Sequence, residues 1–210
     1  MKRALIPLLL AAILTAACSK SPNSNGKTEA DKSLDRVTDA IGIWEKASSF
    51  RAKIVVTGLA TGATETSLEA VMPDKFHITT DRSEMILIGQ TTYLKLPDGR
   101  WSKITTGLDN TFGTMKKMME DLKGSKEIKR IGSETVDGVP TEVYESKMTL
   151  PAALGSTVGA GPDSYLVTLW VGASDGLPRK LENTSPTSPM RTTVAYTDYG
   201  AAIALEPPIE

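Results

Sequence analysis

The sequence predicts an α+β fold in which about ten short strands form one large curved antiparallel sheet or open barrel. Apolar and polar residues alternate with a period of two in a series of short segments, and turn sequences such as Pro97-Asp98-Gly99 separate them. Two further segments carry apolar residues at helical spacing. Two amphipathic helices need an apolar surface to cover, and the concave face of such a sheet provides one.

The predicted elements follow one another in a simple order. The first helix has Leu34, Val37, Ile41 and Trp44 along one side. A second helix is predicted in TTGLDNTFGTMKKMMEDLKG, with Gly124 as its stop signal. The segments predicted to be strands are FRAKIVVTGLA, TETSLEAVM, KFHITTD, SEMILIGQTTYLKL (two strands), KEIKRIGSETV, VPTEVYESKM, SYLVTLWVGA, LPRKLENTS and RTTVAYTDYG. Residues 149–163 are rich in Gly and Pro and predict a long loop or a broken short helix, in which residues 155–161 either gate an opening or form a loose loop.

The N-terminal segment has the composition of an export signal. Lys2 and Arg3 precede an uncharged run of Leu, Ile and Ala that is too short to span a bilayer stably. Small residues then lead directly into Cys18, the single cysteine of the chain. We therefore predict a signal peptide over residues 1–17, a flexible Ser-, Asn- and Lys-containing tether over residues 18–30, and one domain over residues 31–210.

The charge balance and the residue inventory exclude several classes of function. Removal of residues 1–17 leaves 22 of the 24 basic residues against 25 acidic ones, a net charge of −3, which gives no electrostatic footprint for nucleic acid. The single His77 follows Phe76 and should face the opposite side of its strand, so we interpret it as a surface or rim residue and not as a zinc ligand. The sequence contains no nucleophile elbow, Walker loop or dinucleotide fingerprint. We expect neither an enzyme nor a cofactor.

The end of the signal resembles the bacterial lipoprotein signal, in which small residues precede a cysteine that is lipidated and becomes the first residue. Thr15 stands where that signal usually has leucine. The resemblance implies that Cys18 anchors the protein to a membrane, with Ser19 favouring the outer membrane of a Gram-negative cell; in other bacteria the anchor would lie in the outer face of the cytoplasmic membrane. The alternative is ordinary secretion with cleavage near Ala17, which leaves a free thiol.

The folded part resembles the lipoprotein-carrier superfamily, which includes the carrier and receiver of the lipoprotein sorting pathway and lipid-binding lipoproteins of mycobacterial type. The resemblance rests on SSFRAKIVVTG, VMPDKFHITT, MILIGQTTYLKLPDGRW, LWVGASDGLPRKLENT and TTVAYTDYG. It implies a half-barrel sheet wrapped around helices that encloses an apolar cavity for acyl chains. The residues implied for the cavity face are Phe50, Ile54, Val56, Leu68, Phe76, Ile78, Leu87, Leu169 and Val171, and those implied for a helical lid are Phe112, Met115, Met118, Met119 and Leu122.

Some of these residues also have an interpretation without a ligand. Met115, Met118 and Met119 suit a surface that accepts varied chains, but the same three side chains could simply pack on the sheet. Trp44 and Trp101 could line the rim of a cavity mouth or belong to the core.

The resulting expectation is an envelope lipoprotein that binds the acyl chains of a lipid or lipoprotein and carries or transfers them. A different class of function is a sensor or interaction module of the same fold that binds a protein partner. A third is a structural envelope protein with a solid core, which would have no cavity.

Overall fold

A computed structural model describes residues 27–104, 110–125, 127–149 and 164–209. Within these residues the chain forms two helices and eleven strands, so the predicted fold class is confirmed. The elements are α1 (Glu29–Lys46), β1 (Ser49–Thr57), β2 (Thr64–Val71), β3 (Lys75–Thr80), β4 (Glu84–Ile88), β5 (Thr91–Lys95), β6 (Trp101–Ile104), α2 (Asn110–Lys123), β7 (Lys129–Val136), β8 (Val139–Thr149), β9 (Ser164–Gly172), β10 (Pro178–Thr184) and β11 (Arg191–Thr197). Residues 1–26 and 150–163 lie outside the described residues, and with them the signal peptide, Cys18 and nearly all of the Gly-rich loop.

All eleven strands belong to one open antiparallel sheet in the order β6-β5-β4-β3-β2-β1-β11-β10-β9-β8-β7. Strands that follow one another in sequence pair with each other, except β6 and β7, which are the two edges of the sheet. The pairing of β1 with β11 joins the two halves of the chain. The sheet is the half-barrel that the resemblance implied. Strand β6 is the one that the sequence analysis missed, because its four residues are too few to show alternation.

Local turn chemistry explains why neighbouring strands pair so regularly. Asp137 and Gly138 both have positive φ, 48° and 81°, as the two-residue hairpin turn between β7 and β8 requires. Between β5 and β6, Leu96 N donates to Arg100 O at 2.7 Å. These turns fix the register of each hairpin and therefore which side chains share a face of the sheet.

Helix α1 begins two residues before the predicted domain boundary. Thr28 caps it: Asp31 N donates to Thr28 Oγ1 at 3.1 Å and Thr28 N donates to Asp31 Oδ2 at 2.9 Å. Its apolar side packs on the sheet, whereas Arg36 Nη2 donates to Gly172 O at 2.9 Å, at the end of β9. The helix is thereby fixed across one end of the sheet.

Candidate functional site

The face of the sheet that the helices cover, called here the inner face, carries every strand residue predicted for the cavity. Register places these residues in rows that cross the sheet, for example Val194, Ile54 and Thr66, or Phe50, Ala70 and Phe76. The predicted side of each strand is therefore correct. His77 lies on the opposite, outer face, as the alternation predicted.

Most of the predicted residues lie in one closely packed part of the inner face. Trp44 of α1 is fully buried, and its ring lies 5.8 Å from that of Phe50. Trp44 is therefore a core residue and does not line a rim. The other predicted residues that are buried in the same cluster are Leu68, Phe76, Ile78, Leu87, Met119, Leu122, Leu169 and Val171.

Helix α2 contributes to the same packed cluster. Met119 is fully buried, Leu122 is 2% exposed, and Met118 is partly buried against the core. Lys123 Nζ lies 2.6 Å from Glu45 Oε2 and ties the end of α2 to α1. Phe112 and Met115 belong to this helix, but their side chains lie outside the described part of the structure. Of the predicted lid residues, Met118 alone is described as partly exposed.

The remaining part of the inner face is open and apolar. Ile54 and Val56 of β1, Met85 of β4 and Leu94 of β5 all point inward and are partly exposed. Ile54 and Val56 were predicted for the cavity, but Met85 and Leu94 were not. Only strand pairing shows that Met85 and Leu94 continue the row that begins with Leu68 and Ile78. This surface, called here the open surface, borders the end of the sheet at which β1, β3 and β10 finish, called here the mouth.

The inner face of β1–β6 carries no charged side chain within the described strands. Its residues are Phe50, Ala52, Ile54, Val56, Thr64, Thr66, Leu68, Ala70, Phe76, Ile78, Thr80, Met85, Leu87, Thr92, Leu94, Ser102 and Ile104. Tyr196 of β11 lies in the same rows, and burial raises the pKa of its hydroxyl, so this group also stays neutral. A surface of this composition favours contact with hydrocarbon and disfavours any ion.

The outer face of the same strands is charged. Arg51 Nε lies 2.8 Å from Glu69 Oε1, and Glu69 Oε2 lies 3.2 Å from His77 Nδ1. On the other side of the imidazole, Nε2 lies 3.1 Å from Glu84 Oε1, and Glu84 Oε2 lies 2.7 Å from Lys95 Nζ. This row of polar contacts crosses β1 to β5. An open depression of about 580 Å³ lies over Arg51, Glu69 and His77.

The two glutamates of this row make the folded protein sensitive to acid. A hydrogen bond from Arg51 lowers the pKa of Glu69, and one from Lys95 lowers the pKa of Glu84. A carboxyl with a lowered pKa in the folded state contributes stability above its unfolded pKa, and this contribution is lost as the pH falls through the folded value.

We therefore expect Glu69→Gln to lower the free energy of unfolding at pH 7 by about 1 kcal/mol or less, because the pair is partly exposed. The difference from the wild type should shrink towards pH 3. Urea unfolding at a series of pH values measures both quantities. A difference that is constant from pH 7 to pH 3 would show that the Glu69 carboxylate contributes nothing through its charge.

The described residues show no metal site and no spanning helix. No group of three or more His, Cys, Asp or Glu side chains among them is arranged to hold a metal ion. Within the same residues, no helix has the length and hydropathy needed to cross a membrane.

No protein-family model and no curated protein sequence match the chain. Solved structures do match. The lipoprotein LppX of Mycobacterium tuberculosis is similar with a TM-score of 0.62 and 13% identity, over 83% of this chain and 98% of LppX. LprF of Mycobacterium bovis is similar with a TM-score of 0.63 and 13% identity, over 85% of this chain and 98% of LprF. At this level of identity the likeness concerns the fold alone, and it agrees with the architecture that the resemblance implied: the chain has the half-barrel fold of LppX and LprF.

Proposed function

We propose that this protein is a membrane-anchored lipoprotein that binds the acyl chains of a lipid or lipoprotein against the inner face of its half-barrel. The observation that carries the proposal is the open surface, where Ile54, Val56, Met85 and Leu94 remain partly exposed beside a buried core. Exposed apolar surface that is concave and free of charge is the usual character of a site for apolar ligands. The fold is shared with LppX, a protein named a lipoprotein, and this also supports the proposal.

Burial of hydrocarbon supplies the affinity in this proposal. Each methylene group that leaves water contributes about 0.8 kcal/mol, so several methylenes in contact with the open surface suffice for binding. No bond is made or broken, and transfer consists of the chain moving from one apolar environment to another. Met118 of α2 and the inward Met85 have flexible side chains that suit chains of different length and shape.

The anchor and the location belong to the same proposal. Cys18 carries the lipid, and residues 18–30 separate the anchor from the domain in the cell envelope. A domain held beside a membrane meets acyl chains at high local concentration, which is where a carrier of such chains would act.

Native mass spectrometry of the mature domain, purified without detergent, tests the binding proposal. We expect a bound mass of lipid that organic solvent extracts, and binding of an uncharged probe, a fluorescent fatty-acid methyl ester, to the extracted protein. The proposal fails if the domain carries no extractable lipid and does not bind the probe. A protein partner that co-purifies in stoichiometric amount with a lipid-free domain would favour the interaction module instead.

The anchor has a separate test. Cells that express the full chain and grow with radiolabelled palmitate should label the wild type, and Cys18→Ala should abolish the label. Ser21→Ala, three residues away in the same segment, is the control and should keep it. A labelled Cys18→Ala protein, or an unlabelled wild type, would contradict lipidation at Cys18.

A further inference from the structure

Asn183, Thr192 and Thr66 are among the uncharged polar residues on the inner face where the open surface reaches the mouth. Asn183 of β10 pairs with Thr192 of β11, and Thr192 pairs with Val56 of β1. One row further into the sheet, Ile54 pairs with Thr66 of β2. Asn183, Thr192 and Thr66, called here the polar mouth, are all partly exposed, so a ligand on Ile54 and Val56 would touch them.

The hydrogen-bonding groups of the polar mouth are unused within the described residues. None of the three side chains makes a hydrogen bond to another described residue. Thr80, directly across from Thr66, behaves differently, because its Oγ1 accepts from Ser83 N at 3.0 Å. The amide of Asn183 and the hydroxyls of Thr192 and Thr66 are thus available to a ligand, with both donor and acceptor capacity.

The charged residues of β10 and β11 beside the polar mouth face outward, and the lysines of α2 are paired with carboxylates. Glu182 of β10 and Arg191 of β11 belong to the outer face, where Arg191 Nη1 lies 3.7 Å from Glu182 Oε2. On α2, Lys117 Nζ lies 2.9 Å from Asp121 Oδ1. A ligand in this position therefore finds neutral donors and acceptors and no free counter-ion among the described residues of these elements.

We propose that the polar mouth hydrogen-bonds an uncharged polar group of the bound lipid, such as an ester, hydroxyl or amide, and discriminates against a charged head group. The inference rests on the proposed acyl-chain site. A neutral polar group exchanges its bonds with water for bonds to Asn183 and Thr192, whereas a phosphate or carboxylate would be partly desolvated without a cation to pair with. The polar mouth thereby sets which lipid the open surface retains.

The test compares two lipids with the same chains, dioctanoylglycerol and dioctanoyl phosphatidylglycerol, by isothermal titration calorimetry of the lipid-extracted mature domain. The wild type should bind the neutral lipid about tenfold or more tightly than the anionic one. Thr192→Val keeps the shape of the side chain and removes its hydroxyl, and should weaken binding of dioctanoylglycerol about fivefold. Thr193→Val is the matched control, because Thr193 is the next residue on β11, is also partly exposed and faces outward.

Asn183→Lys should bind the anionic lipid more tightly than the wild type does, a result that a misfolded protein could not give. A cation at the polar mouth should strengthen binding of dioctanoyl phosphatidylglycerol about tenfold relative to the wild type. Equal affinity of the wild type for both lipids, or equal effects of Thr192→Val and Thr193→Val, would overturn the inference and leave the acyl-chain site standing. Failure of the wild type to bind either lipid would overturn the proposed function itself, and the inference with it.

Discussion

Val56→Asp is expected to weaken the binding of the fluorescent fatty-acid methyl ester at least about tenfold, because it places an unpaired carboxylate on the open surface. Val56 points inward, is partly exposed and lies between the inward-facing Thr64 and Thr192 in register. The substitution removes an apolar contact and forces either the new charge or the probe to remain hydrated. Titration of the probe into the lipid-extracted domain, followed by fluorescence, measures the effect.

Val55→Asp is the matched control for that experiment. Val55 is the preceding residue, has the same side chain and is also partly exposed, but it faces outward and pairs with Glu65 and Thr193. Both variants place an aspartate at adjacent positions of the same strand, and Val55→Asp also faces Glu65, so the control should lose at least as much stability as Val56→Asp. We expect Val55→Asp to bind the probe as the wild type does. Equal losses in both variants would place the probe somewhere other than the inner face.

Trp44→Ala is expected to lower the free energy of unfolding by about 3–5 kcal/mol, the usual cost of removing a fully buried tryptophan. Trp44 is 0% exposed and packs on Phe50, so the surrounding side chains cannot close the cavity without moving α1. Such a loss is a large part of the stability of a domain of this size. The midpoint of urea unfolding, followed by circular dichroism, measures it.

Trp101→Ala serves as its comparison. Trp101 lies on the outer face of the edge strand β6, is partly exposed, and has Lys95 Nζ at 5.7 Å from its ring centre. Its removal should cost about 1 kcal/mol, because no closed cavity results. If Trp44→Ala were no more destabilising than Trp101→Ala, α1 would not be an integral part of the core.

The sequence predicted the composition of the inner face well but not its division into a closed part and an open part. Alternation identified Phe50 and Ile54 as facing the same way, and both do. Phe50 is nevertheless buried by Trp44, whereas Ile54, four residues along the same strand, stays partly exposed. A period of two gives the side of a strand, but where a helix lies across the sheet depends on contacts between residues that are distant in the chain.

The sequence did not predict the polar mouth, for a related reason. Asn183 and Thr192 are separated by the β10–β11 connection and lie far in the chain from Thr66, and each of them is an ordinary residue for a strand end. The pairing of β1 with β11 brings them together. The only signal in the sequence was the absence of charge at their inward positions, which has meaning only once the strand order is known.

The sequence alone determined the fold class, the strands with clear alternation, the two amphipathic helices and the prediction of Cys18 as the anchor, because these depend on patterns within a few neighbouring residues. The tertiary structure alone decided that Trp44 is core, that Met85 and Leu94 extend the open surface, and that Asn183, Thr192 and Thr66 meet at its edge. The physical reason is that local periodicity fixes the direction of a side chain, whereas burial and neighbours depend on register and on the long-range pairing that joins the two ends of the chain.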